Sequence, residues 1–262
     1  MSYSENLCIG CEECTTACPT GAIDIKRNKA VIDRQICETS GDCAKVCPTG
    51  ALEMVGNEMT TGEVLKEIEK DKVFYDVSSG GVTFSGGEPL MQWEFVYEVA
   101  KACQDKGIHT TLDTSGHVKW EVIDQIRTVT DLFLYDLKHL DDDRHRLLTG
   151  VSNRMILENL EKLAYLKEKL FIRIPVIPGI NDDEGHLRSL CKWVASIGIR
   201  EVMLIPYHRI GMDKYSRIGK TYSMTDVPEP SDEDMKKIGQ VFRKQGITVK
   251  PGFDSLRHEP AT

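Results

Sequence analysis

The chain has 262 residues, a formal net charge of −8 and a sequence pI of about 5.5. This length is enough for one substantial core and a small second module. The acidic charge argues against a surface for nucleic acid or an anionic membrane, because both require a clustered basic face. No apolar run reaches the roughly 20 residues of a membrane-spanning helix, and residues 1–6 lack the regions of a signal peptide. We therefore expect a cytoplasmic protein that binds neither nucleic acid nor a membrane.

Residues 1–56 form a cysteine-rich segment without a periodic stretch long enough for an ordinary helix. Seven of the nine cysteines precede residue 48. A shift of 29 residues places Cys8 on Cys37 and the string CPTGA at 18–22 on the same string at 47–51, which indicates an internal duplication. We therefore predict two domains, one over 1–56 and one over 57–262. The clustering of the cysteines favours metal binding over a disulfide framework.

The cysteine spacing is that of bacterial two-cluster ferredoxins. Residues 8–19 follow C-x2-C-x2-C-x3-C-P, a run that gives three thiolates to one cubane and the fourth to the other cluster. By this rule the first [4Fe–4S] cluster is held by Cys8, Cys11, Cys14 and Cys47. The second is held by Cys18, Cys37 and Cys43, with Ser40 at the fourth position, so we expect it to be three-iron, solvent-ligated or labile. A zinc ribbon is the alternative, but zinc sites pair C-x2-C motifs instead of duplicating this triple.

From Thr60 onward the sequence alternates between helical and strand patterns. Thr60 and Glu63 form a candidate capping box for a helix that ends near Asp71. Apolar, β-branched strands are predicted at 82–84, 110–112, 132–135, 171–176 and 202–205, and amphipathic helices near 92–106, 119–127, 152–168, 183–197 and 231–245. This alternation predicts a parallel sheet. Cys103 and Cys191 lie in predicted helices and are expected to be core thiols, and residues after Phe253 are expected to form a mobile tail.

Polar or glycine-rich residues follow each predicted strand. In chain order these sequences are SGGEP, DTSG, DLKH, PGIND and PYHR. In α/β barrels the carboxyl ends of the strands carry the chemistry, so we expect one functional edge. Simpler explanations remain for each residue: a tight turn with a capping Glu88, an ion pair of Asp136 with Lys138, an ion pair of Arg173 at the core rim, and an ordinary strand-end His208.

Together these sequences resemble the radical S-adenosylmethionine superfamily, and specifically the activating enzymes of glycyl radical enzymes related to pyruvate formate-lyase. The resemblance covers essentially the whole chain and is carried by SGGEPLMQWEFV, GIHTTLDTSG, LFLYDLKHLDDDRHRLLTGVSN and PYHRIGMDKY. It implies an α/β fold in which a two-cluster ferredoxin-like module precedes a partial, TIM-like barrel. It also implies two protein partners, a glycyl radical enzyme as the substrate and a flavodoxin or ferredoxin as the reductant.

The resemblance further implies a cofactor site at the strand ends. Gly86, Gly87 and Glu88 resemble the loop that binds the amino group of S-adenosylmethionine. The expected ligands of a monovalent cation beside the cofactor carboxylate are Asp113, Thr114 and Asp136. Positions that match cofactor-holding residues of the family are Asp136-Leu137-Lys138, Arg173 and His208.

The chain departs from the family pattern at one point. Family members carry a C-x3-C-x2-C loop after the first barrel strand, and its thiolates hold the cluster that cleaves the cofactor. No such spacing occurs in the 262 residues, so we expect an amino-terminally shortened activating enzyme that cannot generate the radical by itself. The competing hypothesis is an iron–sulfur electron-transfer or partner-binding protein on a decayed barrel. The retained strand-end residues argue against it, because an electron carrier needs no cofactor pocket.

Overall fold

A computed structural model of the chain describes residues 1–250 and divides into two compact units. The first unit comprises Met1–Glu58 together with residues 208–226, and the second comprises residues 59–207 and continues from Val227. No pattern in the sequence indicates that residues 208–226 belong with the cysteine-rich segment. The predicted boundary near residue 56 stays a prediction, and the tail expected after Phe253 lies outside the described residues.

The first unit consists of short strands and helices around the cysteines. Its strands are β1 (Ser2–Tyr3), β2 (Ile23–Lys26), β3 (Lys29–Ile32) and β4 (Leu52–Glu53), and its helices are α1 (Glu13–Ala17), α2 (Asp42–Lys45) and α10 (Met212–Arg217). β1 pairs with β4 and β2 with β3, both antiparallel. Buried Cys14, Ile23, Ala30, Cys43 and Leu52 form its small core, and so few apolar residues give a small unit little hydrophobic stabilisation.

The second unit is built on a six-stranded parallel sheet. The strands are β5 (Gly81–Phe84), β6 (His109–Thr114), β7 (Leu132–Asp136), β8 (Leu170–Val176), β9 (Glu201–Pro206) and β10 (Thr248–Lys250). Their order is β10-β9-β8-β7-β6-β5, so every neighbour in the sheet is also a neighbour in the chain. The five strands predicted from sequence are all present, and the prediction of an α/β fold with a partial barrel and a ferredoxin-like module is confirmed.

Helices precede β5 and join the successive strands of this sheet. They are α3 (Thr61–Glu69), α4 (Lys72–Ser78), α5 (Trp93–Asp105), α6 (Trp120–Ile126), α7 (Asp142–Thr149), α8 (Arg154–Tyr165), α9 (Glu184–Ser196) and α11 (Asp232–Lys244). The predicted capping box at Thr60 and Glu63 is confirmed. Helix α7 escaped prediction because it buries only His145 and so shows no apolar period.

The main core lies between the sheet and its helices. The central strand β7 buries Phe133 and Tyr135 completely, as expected for a parallel strand covered on both faces. Cys103 and Cys191 are 0% exposed, which confirms that both are core thiols. Among the described residues, no helix combines the length and apolar character needed to cross a membrane.

Candidate functional site

One arginine joins the carboxylates at two neighbouring strand ends of the second unit. Asp136 of β7 is the register partner of Arg173 on β8, and Asp113 lies on β6. The Arg173 guanidinium donates from Nε to Asp136 Oδ1 at 2.9 Å and from Nη1 to Asp113 Oδ2 at 3.0 Å, and its Nη2 contacts both carboxylates. Burial lowers the pKa of Arg173, but the two carboxylates outweigh burial and hold the pKa above its ordinary value. The Arg173 guanidinium therefore stays positively charged between the carboxylates of Asp113 and Asp136.

Glu88 fastens the loop after β5 to the end of β6. Its carboxylate accepts hydrogen bonds from Thr114 Oγ1 at 2.6 Å, from Ser115 Oγ at 2.6 Å and from the Ser115 amide at 2.9 Å. The Leu90 amide adds a fourth bond at 3.3 Å, so Glu88 also caps the short helix at 89–92. Since an ionised carboxylate offers about four acceptor positions, this chain satisfies Glu88 with its own donors. Glu88 thus serves first to shape the loop.

The glycine before this glutamate gives the loop its course. Gly86 has φ +126°, a conformation that only glycine adopts readily, and a Cβ at Gly86 or Gly87 would meet nothing within 4 Å. The main chain of the loop therefore faces open space. This arrangement fits a ligand that approaches the backbone, as the resemblance implies for the amino group of S-adenosylmethionine.

The glycine that ends the DTSG sequence is required by packing. Gly116 has φ +69°, and a Cβ there would lie 1.8 Å from Tyr135 Oη. That hydroxyl donates to the Ile156 carbonyl at 2.7 Å in the core, and burial raises the pKa of Tyr135. The close approach of Gly116 to a buried ring fixes the turn that presents Ser115 to Glu88.

The other predicted cofactor residues differ in their surroundings. Lys138 places Nζ 3.7 Å from Asp136 Oδ2, whereas the side chain of Leu137 is 1% exposed and packs in the core. Thr114 directs its hydroxyl to Glu88. His208 is exposed, follows β9 by two residues and belongs to the first unit. Their roles in cofactor and cation binding stay predictions.

Two serines at this edge were not singled out from the sequence. Ser115 supplies two of the four bonds to Glu88, and Ser85 Oγ donates to Asp113 Oδ2 at 3.1 Å. Both lie inside the SGGEP and DTSG sequences, so the motifs contained the signal. Because serine is common in the turns that follow strands, the sequence alone does not distinguish a serine that holds a site residue from an ordinary turn serine.

A cavity in the first unit brings together one predicted set of cluster ligands. Its lining includes Cys8, Cys11, Cys14 and Cys47. Apolar side chains, among them Ile25 and Leu52, complete the wall. Four converging thiols in an apolar pocket fit a cubane, which binds one cysteine per iron. Over residues 1–250 no three His, Cys, Asp or Glu side chains surround a single-ion position.

Main-chain amides and hydroxyls surround the sulfurs of both predicted cluster sites. The Ala30 amide lies 3.4 Å from Cys8 Sγ, and the Ala22 amide lies 3.2 Å from Cys18 Sγ. Although burial raises the pKa of Cys8, Cys18 and Cys47, these hydrogen bonds outweigh it and lower each pKa. The thiolate is the form that binds iron, so the geometry prepares these cysteines as ligands.

Comparison with known proteins finds two matching family models and a set of similar enzymes. A model of the radical SAM superfamily matches residues 43–191, and a model of the 4Fe-4S dicluster domain matches residues 7–51. The trans-4-hydroxy-L-proline dehydratase activating enzyme of Clostridioides difficile is 39% identical over 253 residues, which is 95% of this chain and 84% of that protein. The choline trimethylamine-lyase activating enzyme of Oleidesulfovibrio alaskensis is 39% identical over 94% of this chain and 82% of its own length.

A solved structure gives the same result. The crystal structure of a domain of pyruvate-formate lyase-activating enzyme from Bacteroides vulgatus has a TM-score of 0.56 and 31% identity, and the match covers 66% of this chain and 99% of that domain. A radical SAM methyltransferase from Sphaerobacter thermophilus has a TM-score of 0.58 at 17% identity, a likeness of fold alone.

Proposed function

The chain belongs to the radical SAM superfamily and, within it, to the activating enzymes of glycyl radical enzymes, and we propose that its strand-end site binds S-adenosylmethionine. With a reducing cluster beside it, reductive cleavage of that cofactor would supply a 5′-deoxyadenosyl radical for hydrogen abstraction from a glycine of the partner enzyme. The observation that carries the proposal is the Arg173 clamp on Asp113 and Asp136 beside the loop that Glu88 holds open.

The residues of the site have separate tasks in this proposal. Glu88 holds the loop of Gly86 and Gly87 in a conformation that leaves its main chain accessible. Arg173 and Lys138 supply positive charge for a carboxylate, and Arg173 is fixed before binding by its ion pairs. Preorganised charges bind a zwitterion without a further ordering cost.

We also propose that Asp113, Thr114 and Asp136 coordinate a monovalent cation. Arg173 lies between the two carboxylates, so the cation and the guanidinium would share them. If so, binding of S-adenosylmethionine is tighter in potassium chloride than in tetramethylammonium chloride at equal ionic strength. Equal affinity in the two salts would exclude the cation.

Equilibrium dialysis under anaerobic conditions tests the cofactor assignment. The full chain is expected to bind S-adenosylmethionine saturably, and Arg173→Met is expected to abolish this binding. Arg188→Met is the matched control, since Arg188 forms an exposed ion pair with Glu184 on α9. The absence of saturable binding to the unmodified chain would refute the proposal.

Radical formation requires cluster ligands that these 262 residues do not contain in C-x3-C-x2-C spacing. We propose that the chain as printed forms no 5′-deoxyadenosine after reconstitution and reduction. A form preceded by a segment that carries this motif is expected to form it. Sustained formation by the printed chain would show that other ligands hold the cofactor cluster.

We propose further that an acidic electron carrier, a flavodoxin or ferredoxin, reduces the cluster module. The charged residues that line a groove of about 560 Å³ in the first unit are four cations and one acid, namely Lys26, Arg27, Lys29, Arg34 and Glu5. Lys29 Nζ donates to the Cys8 carbonyl at 2.6 Å, so this basic face adjoins a predicted cluster ligand. Charge complementarity of this kind accelerates association at low salt.

Charge reversal tests this docking face. Arg27→Glu is expected to slow reduction by an acidic carrier at least several-fold at low ionic strength, and salt is expected to reduce the difference. Lys237→Glu, on the exposed face of α11, is the control. An equal effect of the two variants would contradict the assignment. We also propose a cytoplasmic location, because none of the nine cysteines, all of which lie in the described residues, forms a disulfide, and a reducing compartment keeps cysteines unpaired.

The second candidate function is an electron-transfer or partner-binding protein. The missing C-x3-C-x2-C spacing favours it. This candidate predicts a reducible cluster module together with no saturable binding of S-adenosylmethionine, so the dialysis experiment distinguishes the two functions.

A further inference from the structure

We propose that the second cluster of the module is held by three thiolates only, and that its fourth iron, opposite Ser40, is solvent-ligated and exchangeable. The three thiolates are those of Cys18, Cys37 and Cys43. The inference concerns the cysteine-rich unit and rests on no radical chemistry.

The backbone of the two repeats places Ser40 at the position of Cys11. Cys11 lies between Gly10 at φ +72° and Glu12 at φ +66°, and α1 begins at the next residue. Ser40 lies between Thr39 at φ +55° and Gly41 at φ +83°, and α2 begins at the next residue. A β-branched threonine rarely adopts a positive φ, so its presence there indicates that the ligand-loop conformation is held in the second repeat too. The loop is therefore kept while its thiol is replaced.

The Ser40 side chain has another partner. It is exposed, and its Oγ lies 3.5 Å from the amide nitrogen of Asp42 at the start of α2. A neutral hydroxyl is a much weaker iron ligand than a thiolate. Water or a small anion is then the fourth ligand of that iron.

No other cysteine can complete the second cluster. Cys8, Cys11, Cys14 and Cys47 line the first cavity. Cys103 and Cys191 are 0% exposed in the core of the second unit. The remaining cysteines of the sequence are Cys18, Cys37 and Cys43. Cys43 is buried in the small core of the first unit, and Cys18 packs against that core.

Controlled oxidation tests the inference directly. The full chain is reconstituted anaerobically with iron and sulfide, treated with about one equivalent of ferricyanide in the presence of EDTA, and examined by electron paramagnetic resonance and iron analysis. A [4Fe–4S]2+ cluster that loses its unprotected corner releases one Fe2+ and gives one electron to ferricyanide, which leaves [3Fe–4S]+. We expect this three-iron signal and about seven irons per chain, and reduction with added Fe2+ is expected to restore about eight.

Two variants decide between the outcomes. Ser40→Cys is expected to keep about eight irons and to show no three-iron signal under the same treatment. Ser40→Ala is expected to behave as the unmodified chain, because the hydroxyl is not a ligand. The inference would be overturned if Ser40→Cys lost as much iron as the unmodified chain. It would also be overturned if Ser40→Ala differed from the unmodified chain in its iron content or its three-iron signal. The measurement uses neither S-adenosylmethionine nor a partner, so its failure leaves the proposed function untouched.

Discussion

Replacement of Arg173 by methionine removes the positive charge from between two partly buried carboxylates. The side chains of Arg173, Asp113 and Asp136 are 20%, 19% and 24% exposed. Loss of one partner from a fully buried ion pair costs about 3–5 kcal/mol. The residual exposure here, together with the nearby Ser85 hydroxyl and Lys138, reduces the expected cost to about 2–3 kcal/mol. For a unit of this size each kcal/mol lowers the melting temperature by about 2–4 °C, so the expected decrease is about 4–12 °C.

Anaerobic thermal unfolding of the full chain, followed by far-ultraviolet circular dichroism, measures this decrease. Arg188→Met makes the same substitution in an exposed ion pair and is expected to leave the melting temperature unchanged within error. Adding Asp113→Asn to Arg173→Met is expected to recover part of the loss, because the uncompensated charge disappears. The reasoning fails if Arg173→Met unfolds at the same temperature as Arg188→Met.

Three further variants test other parts of the second unit. Glu88→Gln replaces a carboxylate that accepts four hydrogen bonds with an amide that can accept only some of them. Binding of S-adenosylmethionine should therefore weaken at least tenfold. The exposed control Glu94→Gln should bind the cofactor normally. Gly116→Ala places a Cβ 1.8 Å from a buried side chain at a residue with positive φ, and it should lower the free energy of unfolding by more than about 2 kcal/mol. Gly150→Ala, at φ +82° in open space, should lower it by only about 1 kcal/mol. Melting temperatures of the two variants measure both effects. The rings of His186 and His139 stack with their centroids 4.0 Å apart, and burial lowers the pKa of both below 6.5. As the pH falls, the unfolded chain therefore takes up protons before the folded chain does, and the free energy of unfolding decreases below about pH 6.5. His186→Asn should make this decrease smaller in melting curves recorded from pH 7.5 to 5.5.

The repeating pattern of strands and helices made the second unit predictable from sequence. Its first five strands are short apolar runs, and consecutive buried residues in β6, β7 and β9 show burial on both faces. The last strand, Thr248–Lys250, has only three residues and carries no comparable signal. Helices α4 and α10 are also too short, and too poor in buried residues, for a periodic pattern to show.

The cysteine positions could be assigned from spacing because a cubane requires a fixed number of thiolates at short separations. The assignment of Cys8, Cys11, Cys14 and Cys47 to one site agrees with a cavity that all four line. The partners of the charged residues could not be assigned in this way. Arg173 was expected to hold the cofactor or to form one ion pair, and it bridges two strands 60 and 37 residues away in the chain. Only the register of three parallel strands brings these groups together.

The charges at the proposed cofactor site complement the charge of S-adenosylmethionine. Before the proposed monovalent cation binds, Asp113, Asp136 and Glu88 supply three negative charges and Arg173 and Lys138 supply two positive ones, so the edge retains one negative charge. S-adenosylmethionine carries an ammonium, a carboxylate and a sulfonium, and its net charge is therefore +1. Binding of this cofactor neutralises the edge, whereas binding of the uncharged thioether analogue leaves the carboxylate excess uncompensated in a partly buried site. In the absence of a bound cation, we therefore expect the proposed site to bind S-adenosylmethionine more tightly than its thioether analogue.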